Sequence, residues 1–251
     1  MNTETVLFEG MTSIRAVIDG NRRGIHDRRI VRVLADRAKL KSKAKEIAYL
    51  RAVGAEMGFS VVETDAAALD ALASGTSHGG IIAECTQREI PQLTASSLPQ
   101  DGFAVMREGI EDPYNFGYAM RTVYAAGADA VILSPRNWMQ AAGTVCRSSA
   151  GASELLPLYI ADGGDAARIA RGAGYKIVCA GIRDSVSAFD ADLRKPIFLI
   201  VGGEKRGISR ALLDEADTVV RLDYGREFRG SLSAASAASV LAYEVLRQNR
   251  G

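Results

Sequence analysis

From Gly102 onward the chain repeats one pattern: a short apolar run, a segment with helical spacing, then another apolar run. The runs are FAVMR, DAVIL, LLPLYI, YKIVCA, IFLIV and TVVRL. Between them lie NFGYAMRTVYAAGA, MQAAGTVCRSS, GDAARIARGAG and SRALLDEA, and SLSAASAASVLAYEVLRQNR closes the chain. Short runs that are apolar throughout have no face to give to water. They predict an α/β fold with a parallel sheet covered by helices on both sides. In such sheets ligands bind beyond the carboxyl ends of the strands.

The preceding residues read as a smaller α/β domain over 1–90. IVRVLAD, FSVVET and GGIIAEC have the length and composition of strands. KLKSKAKEIAYLRAVGAEMG reads as a helix with lysines outside, ending at Gly58, and AALDALAS as a short second helix. REIPQLTASSLPQDG, with two prolines and several small polar residues, predicts a linker over 91–101. The larger domain then spans 102–251.

Charge is segregated along the chain. Between Arg15 and Arg51 there are twelve Lys or Arg and four acids, a local charge of +8 in a chain whose net charge is +1. That predicts a positive face for a polyanion in the first domain. No apolar run approaches the roughly 20 residues that span a bilayer, and the first residues lack a signal-peptide pattern, which predicts a cytoplasmic protein. The three cysteines (Cys85, Cys146, Cys179) sit in or beside apolar segments, as buried reduced thiols do. The two histidines are not spaced as ligands with any cysteine, so no metal is expected.

Three segments carry chemistry. In PIFLIVGGEKRGIS (196–209) an apolar strand runs into Gly202 and Gly203, then Glu204 and Gly207. A P-loop needs Lys and Ser or Thr directly after its last glycine, and here Ile208-Ser209 follow. The dinucleotide fingerprint fails on spacing. A glycine turn that holds a nucleoside-like ligand through backbone groups fits, as does a plain strand-to-helix turn. In the second segment, Asn115 is placed to cap a helix on which Asn115, Tyr118 and Arg121 share one face. An arginine there suits a phosphate or carboxylate held in fixed orientation. In the third, Ser231 follows Gly230 and is placed to cap the last helix, whose start is almost entirely Ser and Ala.

Taken together, DPYNFGYAMRT, IVGGEKRGIS and VRLDYGREFRGSLSAASAASVLAYE resemble the three motifs of the SpoU (TrmH) branch of the SPOUT RNA methyltransferases. RSSAGASELLPLYI resembles the stretch that follows the first motif. The resemblance covers about residues 100–248. More weakly, the N-terminal part resembles the small ribosomal-protein-like α/β domain with which many members bind RNA. The resemblance implies methyl transfer from S-adenosylmethionine to a ribose 2′-hydroxyl of rRNA or tRNA. It also implies a trefoil knot in the C-terminal domain and a homodimer with its active site at the subunit interface. Carried onto this chain, the motifs imply Asn115, Arg121, Glu204 and Ser231 as catalytic residues. They imply cofactor contacts from Ala180, Gly181, Val201, Gly202, Gly203, Glu204, Gly207, Arg221, Leu222, Ser231 and Leu232, with the cofactor as what approaches Gly202 and Gly203. RNA is expected on Arg22, Arg23, Arg28, Arg29, Lys39, Lys41, Lys43 and Lys45. Two departures stand out: Arg221-Leu222 replaces the usual Pro-Met, and Ser233 replaces the usual Asn. They motivate a rival reading, an RNA-binding protein that keeps the fold and has weak or no catalysis.

Overall fold

The structure of the protein, a computed structural model, describes residues 5–75, 78–109, 112–135, 141–203 and 207–250. It divides into two compact units, Met1–Glu89 with Asn137–Leu155 and Ile90–Arg136 with Leu156–Gly251. The first unit opens with β1 (Val6–Glu9), α1 (Gly10–Arg22), β2 (Ile30–Asp36), α2 (Ala44–Met57), β3 (Ser60–Thr64), α3 (Ala66–Leu72) and β4 (Ile81–Cys85). The chain then supplies β5 (Phe103–Arg107), α4 (Pro113–Ala125) and β6 (Ala130–Leu133) to the second unit. Next come α5 (Ala142–Ser148) and α6 (Ala152–Leu155), which belong to the first. The second unit is completed by β7 (Leu158–Ile160), α7 (Gly163–Gly172), β8 (Lys176–Ala180), β9 (Val186–Ser187), β10 (Ile197–Val201), α8 (Arg210–Asp214), β11 (Thr218–Arg221) and α9 (Ala234–Gln248).

The first unit holds a four-stranded sheet in the order β1-β4-β2-β3, in which only β2 and β3 run parallel. Phe8, Ile14, Ile18, Leu50 and Ile81 are fully buried or nearly so in its core. The helix α2 stops where the sequence predicts. Gly58 takes φ 81° and its N–H donates to the Gly54 carbonyl, a left-handed cap that glycine adopts without a Cβ clash. β1 and α1 were not expected. VLFE is only four residues long and ends in an acid, although Glu9 is buried.

The expected domain division needs correction at two places. Residues 142–155, read as part of the larger domain, belong to the first unit. Gly143 lies so close to the Leu7 carbonyl that a side chain would overlap it. Gly151, at φ 93°, would place a Cβ 2.6 Å from that of Ala16. The second correction concerns residues 91–101, which are not a free linker. Leu93 donates to the Ile160 carbonyl at 2.9 Å, Ile160 donates to that of Pro91 at 2.9 Å, and Leu93 and Leu98 are buried in the second unit's core. Their prolines suit an edge position in a sheet as well as a linker.

The second unit is a seven-stranded sheet, parallel throughout, in the order β7-β6-β5-β10-β8-β11-β9. β5 and β10 are buried at every residue, as strands covered on both faces must be. α4 packs against α9. β10, late in the chain, lies between β5 and β8, so the order of connection reverses around it. That is where a parallel sheet opens a ligand crevice.

Candidate active site

β10, β8 and β11 are neighbours and end at Val201, Ala180 and Arg221. Beyond these ends lies a cleft of about 840 Å³, within the range of small-molecule sites. Ala180, Gly181, Val201, Gly202, Gly203, Gly207, Arg221, Leu222, Ser231 and Leu232 all line it. These are ten of the eleven expected cofactor contacts; Glu204 lies outside the described residues. Three stretches far apart in sequence therefore line one cleft.

The glycines have a reason that the sequence reading missed. A Cβ on Gly202 would overlap the backbone of Gly207 and Ile208, and one on Gly203 would overlap the carbonyl of Gly109. What approaches these two residues is the protein's own backbone. Gly207 donates to the Gly203 carbonyl at 3.0 Å and takes φ 64°, so the turn closes on itself. The same glycines still expose backbone to the cleft.

Three residues that sequence reasoning passed over brace this arrangement. Arg107, buried at the end of β5, donates from Nη1 to the Ala234 carbonyl at 2.6 Å. Glu108 accepts from the Ser209 N–H at 2.8 Å, and Gly109 is the residue against which Gly203 rests. A buried strand that ends Arg-Glu-Gly was the available signal.

The third wall is the loop that runs from Leu222 into α9. Ser233, not Ser231, caps that helix: its hydroxyl accepts from the Ser236 N–H at 3.1 Å. Serine caps helices as well as asparagine does, so Ser233 supplies this helix with a good cap. Arg221 is committed to its own neighbourhood. Its Nε lies 2.9 Å from Asp223 Oδ1 and its Nη1 donates to the Ser185 carbonyl at 2.6 Å. Hydrogen bonding from Ser187, and then from Arg221, holds the Asp223 carboxyl below its ordinary range.

The expected catalytic pair on α4 is placed differently. Asp112 caps that helix, accepting from the Tyr114 and Asn115 N–H groups, each at 3.1 Å. Asn115 sits in the first turn, half-buried, and Arg121 is exposed two turns later. Neither lines the cleft of its own chain.

The basic residues of the first unit divide into two groups. Arg28 is a correction. It is buried, its Nε is 3.0 Å from Glu154 Oε2, its Nη1 donates to the Thr86 carbonyl at 2.7 Å, and its guanidinium lies over the Phe8 ring at 4.7 Å. A guanidinium sealed this way supports the fold and has no face for RNA. Arg22 is exposed but paired with Glu56 at 2.6 Å. Arg23, Arg29, Lys39, Lys41 and Lys45 are exposed and Lys43 is half-buried. Lys39 and Lys43 stand beside the Gly79-Gly80 turn, where both glycines have positive φ.

The cysteines are free and buried. Burial pushes the Cys85 and Cys179 thiols up to about 12 and raises that of Cys146 further. Among the described residues no group of three or more His, Cys, Asp or Glu is placed to hold a metal, and no helix is long and apolar enough to cross a membrane.

With this geometry in hand, comparison with known proteins is direct. The model of the SpoU rRNA Methylase family matches residues 102–243. A Burkholderia protein named 23S rRNA (guanosine-2′-O-)-methyltransferase RlmB is 26% identical over 212 residues, 82% of this chain and 85% of its own. A Xylella fastidiosa protein of the same name is 26% identical over 99% of this chain and 98% of its own. An AdoMet-bound rRNA methyltransferase crystal structure from Sinorhizobium meliloti matches with TM-score 0.78 and 25% identity, covering 99% of this chain and 89% of its own. A crystal structure of an RNA 2′-O ribose methyltransferase shares the fold with TM-score 0.80 at 23% identity, over 98% and 89% of the two chains. The match extends over more than half of the sequence and takes in the cleft's strand ends and loops, and the chain belongs to the SpoU rRNA methylase family.

Proposed function

We infer that this protein transfers a methyl group from S-adenosylmethionine to a ribose 2′-hydroxyl of RNA, with rRNA as the substrate. The observation that carries this is the convergence of eight motif residues, with Ala180 and Gly181, on one cleft at the strand ends, in a chain whose relatives are named for that reaction. The residues fit the cofactor: glycine backbone at Gly181, Gly202, Gly203 and Gly207 offers polar groups, and Val201, Leu222 and Leu241 offer apolar wall. When bound there, S-adenosylmethionine supplies an electrophilic methyl on a sulfonium.

The chain's own residues then orient the acceptor. For an in-line displacement these residues would have to align the 2′-oxygen with that methyl carbon, and alignment supplies much of the acceleration. We assign Arg121 to gripping the adjacent phosphate and stabilising the developing 2′-oxyanion. A guanidinium with a pKa above about 12 is a poor base. Asn115 would position Arg121 or the ribose, Glu204 would order the motif loops, and Ser231 would hold the ribose.

Because Arg121 does not line the cleft of its own chain, the site is best completed by a second copy. Tyr114, Tyr118 and Tyr124 on α4, with Val240 and Tyr243 on α9, leave an exposed apolar face on two helices that pack together. A homodimer through that face would bury it. The place of β10, late in the chain, between β5 and β8 fits a trefoil knot of the family type. The exposed lysines around Gly79-Gly80 would hold structured RNA by its phosphates.

The test is mapping of ribose 2′-O-methylation across rRNA and tRNA from cells with and without the gene. One or more rRNA positions should lose the methyl group and regain it on complementation. An unchanged map would count against the assignment. The rival, an RNA-binding protein without catalysis, predicts RNA binding with no S-adenosylmethionine binding.

A further inference from the structure

Phe228 is 57% exposed and Tyr224 41%, in a chain where aromatic residues are 6% of the total. Both line the cleft, together with Arg229. Exposed rings on a loop are ordinarily floppy, but these are held. Tyr224 Oη accepts from the Leu232 N–H at 3.2 Å, which closes the loop across its base. The rings meet edge to face, centroids 5.6 Å apart at 69°, a favoured aromatic geometry. Phe228 also folds over Gly230 so closely that a Cβ there would sit 2.6 Å from its Cζ. One edge and one side of Phe228 are therefore used, and the rest of the ring is offered outward.

The charges around it favour an anion-bearing aromatic partner. Asp223 is matched by Arg221, which leaves Arg226, Glu227 and Arg229, all exposed, with a net positive charge. An exposed apolar ring with arginines beside it in sequence suits a base with its flanking phosphates.

We propose that the 222–232 loop is a nucleotide clamp: Phe228 stacks a base of the RNA at the mouth of the cleft, and Arg226 and Arg229 hold its phosphates. The proposal rests on the methyltransferase reading for which nucleotide is held, the one methylated or its neighbour. The stacking itself does not require it. The bracing by Tyr224 and Gly230 means the ring is set before RNA arrives, so little ordering entropy opposes binding.

The test uses the full chain and two measurements. Anisotropy of a fluorescein-labelled eight-nucleotide single-stranded RNA reads binding, and methyl transfer to rRNA from cells lacking the gene reads turnover. Phe228→Ala should weaken oligonucleotide binding by about 10-fold or more, the range of one base–aromatic stack, and raise the KM for rRNA similarly. Phe228→Trp should restore both. Arg226→Gln with Arg229→Gln should lower the salt dependence of binding by about one to two counterions. Sedimentation should show the same oligomer throughout. Unchanged RNA binding in Phe228→Ala, failure of Trp to rescue or a change of oligomer would each overturn the clamp. If the wild type transfers no methyl to rRNA, the enzyme reading fails, and the anisotropy result still decides the clamp.

Discussion

Arg107 Nη1 donates to the carbonyl of Ala234, 2.6 Å away, and joins the end of β5 to the first turn of α9. These residues are 127 apart in sequence. The next residue, Glu108, holds the Ser209 N–H, and the next, Gly109, is the floor for Gly203. One three-residue stretch thus fixes the glycine turn and the start of the final helix, two walls of the cleft. Preorganised backbone of this kind requires no rearrangement when a ligand enters.

Gly203→Ala should therefore act through the fold of the turn. The new methyl would overlap the Gly109 carbonyl, so the turn must shift. We expect S-adenosylmethionine affinity to fall by at least about 10-fold, with a lower Tm, because overpacking typically costs about 1–3 kcal/mol. Gly207→Ala meets no neighbour and bears only the left-handed backbone cost of about 1 kcal/mol. Its affinity loss should be smaller. Calorimetric titration and thermal unfolding of both variants check the order.

Arg28 and the exposed lysines should separate cleanly. Arg28→Ala leaves Glu154 buried without its guanidinium, a change that costs about 3–5 kcal/mol, so Tm should fall steeply. Replacement of Lys39, Lys41 and Lys45 by Ala should leave Tm nearly unchanged and weaken RNA binding, with a shallower salt dependence. Thermal melts beside filter binding at two salt concentrations make the comparison.

The pH dependence of stability should carry a signature of His26. Burial holds its imidazole down at about 4, against an ordinary 6.5; Glu154 opposes this, and Arg88 and Arg28 reinforce it. The unfolded chain takes up the proton below about 6.5 and the folded protein only below about 4, so the unfolded state binds more protons in between. The stability gained by keeping His26 neutral is whole above pH 6.5 and is lost as pH falls toward 4, by up to about 3 kcal/mol. Tm measured from pH 8 to pH 4.5 should drop, and His26→Asn should flatten that part of the curve.

Arg121→Ala should keep S-adenosylmethionine affinity and lose at least about 100-fold in methyl transfer, the scale of removing one charge-stabilising donor. Arg121→Lys should recover little, because the planar fork is lost. Turnover and calorimetry on the same preparations test this. Full activity in the alanine variant would refute the assignment.

Much of this was legible in the sequence, for identifiable reasons. The strands β5, β6, β8, β10 and β11 are apolar runs bounded by turn residues, and burial on both faces leaves that mark directly. Ten residues that line the cleft were named through the family resemblance, whose motifs lie at strand ends and the turns after them. What escaped depends on contacts distant in sequence. Nothing near Arg28 reveals Glu154, 126 residues away, so a buried ion pair read as part of a basic surface. Gly151 carries no local signal of its packing until Ala16 is seen against it. Ser231, following Gly230, reads as the cap of α9, and the helix instead starts two residues later with Ser233 as its cap.

The central claim is that the cleft beyond β8, β10 and β11 is the cofactor site, and titration calorimetry of S-adenosylmethionine tests it most directly. We predict one site per chain in the wild type, and loss of binding in Ala237→Trp, which fills the cleft from α9 while circular dichroism shows the fold kept. No heat of binding to the wild type, or undiminished affinity with the cleft filled, would contradict the account.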